Sequence, residues 1–156
     1  MNLNLDDFCK DVARSLQILA SVFPRPRDIF VEDVYEAEET DEFGMHSHRY
    51  LACFQTLVWL REEGFIRYTQ TLRADAVEQA VLTGRCLALL IQPSSLEGES
   101  AAIAIEANTL LQRFRHALEE GSSTTVRMLV LDMIADMTRF PGQGPIIQGA
   151  MPDQAI

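Results

Sequence analysis

Cysteine is scarce in this chain. Only Cys9, Cys53 and Cys86 occur among 156 residues. They are widely spaced and odd in number, which excludes a disulfide framework and predicts reduced, buried thiols. Long apolar runs are also missing: none approaches the ~20 residues needed to cross a bilayer. The longest candidate, Leu82 to Gln92, is broken by Gly84 and Arg85. The opening Met1-Asn2-Leu3-Asn4-Leu5-Asp6-Asp7 is acidic and lacks a basic stretch followed by an apolar one. No secretory signal is therefore expected, and the reading is a cytoplasmic protein that does not enter a membrane. Positive charge is short too, with 13 Lys and Arg against 23 Asp and Glu and a net charge of −10. Such a balance argues against indiscriminate adhesion to nucleic acid, because phosphate binding draws on Lys and Arg.

Chemistry-bearing patterns are equally sparse. No cysteine stands in a recognised nucleophile pattern with a histidine, and no glycine loop is placed to cradle a phosphate. Gly142-Gln143-Gly144 lies in a tail with three Pro and three Gly rather than between a strand and a helix. His46-x-His48 near Cys53 lacks an evident fourth ligand and reads as two surface histidines at a helix start. The acidic run Glu36 to Glu42 lacks the glycine and oxygen-ligand spacing of a calcium loop and reads as a solvated face. The expectation is a protein that is not an enzyme and holds neither metal nor cofactor.

What is present is enough apolar material for a core, 47% of residues, in a clear periodic pattern. Phe8, Val12, Leu16, Leu19 and Phe23, with Ile18 and Val22 beside them, predict a helix over 5–23, capped by Asn4 and stopped by Pro24 and Pro26. Asp28 to Val31 reads as a short strand, and Glu32 to Asp41 as a short acidic helix around Val34 and Tyr35. Ser47 to Glu63 predicts a third helix, with Ser47 as cap and Tyr50, Leu51, Phe54, Leu57, Val58 and Leu60 at helical spacing; Gly64 suits a left-handed C-terminal position. Phe65 to Leu72 and Val77 to Leu82 read as a hairpin around residues 73–76. Thr83 opens a short helix that stops at Pro93. Two more helices follow, roughly 100–120 and 123–138, separated by Gly121 and Ser122 and read as an antiparallel hairpin. Trp59 lies beside the apolar stripe of the third helix, either half-buried against the C-terminal hairpin or exposed in a partner contact.

Charge is uneven along this order. Residues 1–45 carry a net of −7, residues 46–92 a net of +1 and residues 93–156 a net of −4. The middle third, the only part that is not acidic, also carries the most specific pattern, Leu57-x-x-Leu60-x-x-x-Gly64-x-Ile66, with Phe54 upstream and Leu82-Thr83-Gly84-Arg85 downstream. This pattern and the order of elements resemble the winged helix-turn-helix family over about residues 8–91. The implied class is mainly α with a small β-wing, a winged helix-turn-helix plus a C-terminal helical hairpin. The implied organisation is a winged-helix domain over 1–92, a helical extension over 93–140 and a mobile tail over 141–156.

In DNA-binding members of that family the third helix enters the major groove and the wing touches the backbone or minor groove. The resemblance therefore implies groove-facing roles for His46, Ser47, His48, Arg49, Gln55 and Thr56, and wing contacts for Arg67 and Arg73. Arg, Gln and Ser or Thr have the donors and acceptors for guanine, adenine and phosphate oxygens. Asp75 and Glu78 at the wing, and Glu38, Glu39, Asp41 and Glu42 before the third helix, would face phosphates at close range. Two functions remain open at this point. One is a transcriptional regulator that binds double-stranded DNA and forms a homodimer through its C-terminal helices. The alternative is a winged-helix module that binds a protein partner, drawn by the acidic N-terminal third, without DNA. Charge on the outer face of the third helix separates them: Arg49, Arg67 and Arg73 shown together favour DNA, and an acidic surface there favours protein.

Overall fold

The computed structural model describes residues 4–35, 43–93 and 109–139. These hold helices α1 (Leu5–Val22), α2 (Val31–Val34), α3 (His48–Glu62), α4 (Gly84–Leu90), α5 (Leu110–Glu119) and α6 (Ser123–Arg139). Strands β1 (Arg27–Phe30), β2 (Ile66–Arg67), β3 (Gln70–Leu72) and β4 (Ala76–Leu82) form one antiparallel sheet. The protein is thus mainly helical with a small antiparallel sheet, compatible with a winged-helix-like arrangement. Among the described residues no helix is long and apolar enough to cross a membrane.

β4 organises the sheet. Along one edge it pairs with β1, placing Ile29 opposite Val77 and Phe30 opposite Ala76. Along the other it pairs first with β3, Thr71 opposite Val77, and then with β2, Ile66 opposite Leu82. The expected single strand over Phe65 to Leu72 is therefore two short ones. The break lies opposite Gln79, whose φ of +54° turns β4 out of regular pleat. The Gln79 amide is taken up by the Asp28 carboxylate at 2.8 Å, and Thr69 reaches the Glu78 carbonyl instead.

Each helix end has a local cause. At the start of α3, Ser47 Oγ accepts from the Tyr50 amide. At the start of α4, Thr83 Oγ1 accepts from the Cys86 amide and donates to the Gly64 carbonyl at 2.7 Å, tying helix α4 to the turn that ends α3. Asn4 differs from expectation: its side chain makes no capping bond, and only its carbonyl engages, accepting from the Phe8 amide. The acidic helix expected over Glu32 to Asp41 is a single turn at its described end. Tyr35 leaves it in an extended conformation, and the Val34 carbonyl accepts from Arg14 instead of from a further turn. Residues 36–42 lie outside the described set, as do residues 100–108 of the expected fifth helix and the tail from 140. Thr109 caps the described part of that helix by accepting from the Gln112 amide.

Gly64 occupies φ +81°, as its place after α3 leads one to expect. A Cβ there would meet only Met137 Cε at 3.9 Å, an ordinary contact. The cost of Gly64→Ala is then a backbone cost, about 1–2 kcal/mol for a left-handed alanine. Urea unfolding should read a loss of this size; an unchanged midpoint would mean that the turn relaxes to negative φ.

One buried cluster joins all parts. Val12, Ala13, Leu16 and Leu19 of α1 share it with Leu57 and Leu60 of α3, Ile29, Val77 and Leu82 of the sheet, and Leu90 of α4. Phe114 and Ala117 of α5, and Val126, Leu129, Val130, Met133 and Met137 of α6, belong to the same cluster. The helical hairpin is real in its described part, and α6 lies directly against α1. Arg85 of α4 also donates to the Met137 carbonyl at the far end of α6. In the described parts of α5 and α6 these apolar positions are thus covered within one chain.

Candidate interaction face of the third helix

The start of α3 is held by two polar clusters. In the first, the His46 ring stacks on Tyr50 at 3.8 Å with an interplanar angle of 6°. His46 Nε2 lies 2.9 Å from Asp75 Oδ1, and the Tyr50 hydroxyl donates to the same oxygen at 3.0 Å. Burial, and next the bond to Asp75, push the Tyr50 phenol well above its ordinary pKa. This cluster fastens the segment before α3 to the turn between β3 and β4.

The second cluster is the deeper one. Asp11 of α1 is 1% exposed. Arg49 clamps it with two parallel hydrogen bonds, Nη1 to Oδ2 at 2.6 Å and Nη2 to Oδ1 at 2.7 Å. Its Nε lies 3.5 Å from the Asp7 carboxylate, and its guanidinium sits 4.4 Å above the Tyr35 ring. Planar guanidinium and carboxylate match in this geometry, which gives both strength and direction. Burial nevertheless pushes the Asp11 carboxyl above its ordinary pKa, outweighing the bonds and charge of Arg49 that pull it down. Arg49 in turn is held more firmly charged, first by its hydrogen bonds to Asp11.

The other residues marked by sequence separate clearly. Ser47 is spent as the helix cap, His46 on Asp75, and Arg49 on Asp11. Thr56 is buried and donates to the Ala52 carbonyl one turn back. His48 and Gln55 are exposed on the outer face of α3, together with Leu51 and Ala52. Arg67 on β2 and Arg73 at the wing turn are exposed as well, Arg73 with φ +51°. Arg49, Arg67 and Arg73 are therefore not offered together. The resemblance marked Arg49 as a groove reader, and Asp11 was not singled out. The available signal was an Asp on the apolar side of α1, one residue before Val12.

Beside Arg49 runs a groove of about 290 Å³ between α1 and α3. Phe8, Ala52 and Trp59 give it an apolar floor, and Asp7, Arg49 and Gln55 stand at its rim. Phe8 meets Trp59 edge-on at 5.1 Å, and the other side of Trp59 lies 5.7 Å from Phe65. Trp59 is thus half-buried, but against α1 and the start of the wing. A larger hollow of about 550 Å³ separates α1 from α5. Its cations are already engaged, Arg14 by the Val34 carbonyl and Arg115 by Glu119.

Among the described residues no group of three or more His, Cys, Asp or Glu is arranged to hold a metal ion. All three cysteines are free and buried. Burial pushes their thiols up, to about 11 for Cys9 and about 12 for Cys53 and Cys86. Since the thiolate is the reactive form, none should react with a disulfide reagent at pH 8 in the native state. All three should react after denaturation; rapid labelling of a native thiol would mark an opening of the core. No family model, curated protein or solved structure matches the chain, so its assignment rests on this geometry.

Proposed function

We propose that this chain is a winged-helix scaffold that recognises another protein through the outer face of α3, without reading DNA. The supporting frame is the order α1-β1-α2-α3, a two-part wing strand and β4, with β4 placed centrally between β1 and the wing. One observation carries the choice between partners: Arg49 is closed onto the buried Asp11. The remaining outer face of α3 presents His48, Leu51, Ala52 and Gln55, with Arg61, Glu62 and Glu63 exposed at its end and the Arg61 guanidinium laid over the Tyr68 ring. That surface has no cation to neutralise phosphates in its first three turns, and its apolar groups suit a protein contact.

Two experiments on the same preparation test this reading. Anisotropy of a labelled generic duplex should show no binding at physiological ionic strength. Any residual binding at low salt should follow a slope no steeper than about −2 in log K against log salt, as two wing arginines allow. A slope near −6 would overturn the proposal. As matched baits, the wild-type chain should retain a protein that the surface variant Leu51→Glu loses. Failure of the variant to change what is retained would move the contact off α3.

A second reading has its own support. Arg67 and Arg73 are both exposed on the wing, which favours a DNA-binding regulator that uses the wing before the helix. Its homodimer would rest on Met128 and Leu131, the large apolar side chains of α5 and α6 that are exposed, at 60% and 39%. Salt-dependent duplex binding lost in Arg67→Ala and Arg73→Ala, by a chain that light scattering finds dimeric, would establish that reading instead.

A further inference from the structure

The groove between α1 and α3 has a chemistry of its own. Its floor is apolar and built from rigid groups, with Phe8 and Trp59 held edge to face and Trp59 braced from behind by Phe65. Its volume of about 290 Å³ falls at the lower limit of small-molecule pockets, which run from about 300 to 1,000 Å³. It is open along the helices and fits a few side chains rather than a whole cofactor.

Its charge is asymmetric. Arg49 is shared between Asp11, which it clamps, and Asp7, which it meets at longer range, so two carboxylates face one cation and the lining carries a net negative charge. Asp7 is 43% exposed and lies 3.5 Å from Arg49 Nε, so it faces solvent at the mouth. Along α3, Ala52, Thr56, Trp59 and Glu63 fall on one stripe by the helical repeat. Glu63, exposed, therefore continues the groove line one turn beyond Trp59. An apolar channel with a carboxylate at the mouth and another at its end is complementary to an apolar ridge flanked by cations.

Resting on the interaction-module reading above, we infer that this groove receives the apolar face of a basic amphipathic helix from a partner protein. Aliphatic or aromatic side chains at i and i+3 or i+4 enter over Ala52 and Trp59. A Lys or Arg of the same helix pairs with Asp7.

Trp59 is the sole tryptophan of the chain, so its emission reports the groove directly. The probe is a tryptophan-free Leu/Lys amphipathic peptide of about 18 residues, five helical turns, set beside its Leu/Glu counterpart. Titration of the full chain with the Leu/Lys peptide should shift Trp59 emission saturably, and the Leu/Glu peptide should not. Ala52→Gln, on an exposed helical site where glutamine is well tolerated, should weaken the response about tenfold by roughening the floor. Asp7→Asn should weaken it up to about fivefold, the range of an exposed ion pair.

A response undiminished by Ala52→Gln means adsorption to acidic surface and overturns the inference. An equal or stronger response to the Leu/Glu peptide overturns the assigned charge while leaving α3 as a protein-binding face. If neither peptide moves Trp59, yet wild-type chain still retains a protein that Leu51→Glu loses, the groove is not the contact and the broader reading stands. If both assays are silent, both fall together.

Discussion

Arg49→Met is expected to lower the unfolding free energy by about 3–5 kcal/mol, read as a large shift of the urea midpoint, because it leaves a buried carboxylate without its charge partner. The pair is asymmetric, and the asymmetry makes the prediction sharp. Asp11 is 1% exposed, whereas the Arg49 side chain keeps 22% of its surface. Arg49 also retains Asp7 and the Tyr35 ring if Asp11 is lost. Asp11→Asn should therefore cost less, about 1–2 kcal/mol, comparable to leaving one buried polar group poorly satisfied. The double substitution Asp11→Leu with Arg49→Met removes both charges and should recover most of the loss, since apolar replacement of a whole buried pair is often nearly neutral.

The pH dependence follows from direction. Burial already holds the Asp11 carboxyl above its ordinary value, and Arg49 is what restrains that rise. Without Arg49 the folded pKa climbs further above the unfolded value of about 3.9. A folded pKa above the unfolded one means that the folded state takes up the proton more readily. The stability gained this way is full below the unfolded pKa and is lost as pH rises through the folded one. The deficit of Arg49→Met should therefore shrink on acidification from pH 7 towards pH 4. A deficit that grows with acid would mean that Asp11 finds another cation. A midpoint left in place by Arg49→Met would show that the clamp is incidental, and would return Arg49 to the outer face as a reader of phosphates or bases.

A chain ending at residue 92 should not fold cooperatively. Truncation there removes Phe114, Val126, Leu129, Val130, Met133 and Met137, all buried in the shared cluster. Full burial of such a side chain is worth about 1.5–3 kcal/mol. Six of them exceed the total stability of about 5–15 kcal/mol available to a domain at its lower end. The face of α1 that meets α6 would also be laid open. The expected observation is a broad, non-cooperative thermal transition with dye-binding apolar surface. The point variant Phe114→Ala tests the same dependence within an intact chain, at about 3–5 kcal/mol, and should unfold α1 and α6 in one step. A sharp transition from the truncated chain would instead make the winged part an independent domain with an appended hairpin.

Much of the fold was legible because its signals are local. The stripe of α1, the Ser47 cap, Gly64 at the end of α3 and Leu82-Thr83-Gly84 at the exit of β4 all act over a few residues, and each stands where its chemistry places it. What escaped reading depends on partners far along the chain. The turn α2 stops at Val34 because Arg14 takes its carbonyl and because Tyr35 is drawn beneath Arg49. The wing strand divides because Asp28, 51 residues earlier in sequence, captures the amide of Gln79. The engagement of Arg49 was hidden for the same reason. An arginine in the first turn of a third helix looks free until a carboxylate 38 residues earlier is found beneath it.

The contact of α1 with α6 has a consequence for how the chain is made. α1 occupies residues 5–22 and α6 residues 123–139, so a helix made early is completed by one that emerges about a hundred residues later. The sheet too must wait, because β1 has no partner until β4 has been synthesised. During translation the apolar flank of α1 therefore stays uncovered for more than a hundred residues, a period in which exposed surface invites aggregation. Placing α6 ahead of α1 by circular permutation would let the two helices meet at once, and should reduce the dependence of folding yield on holding chaperones.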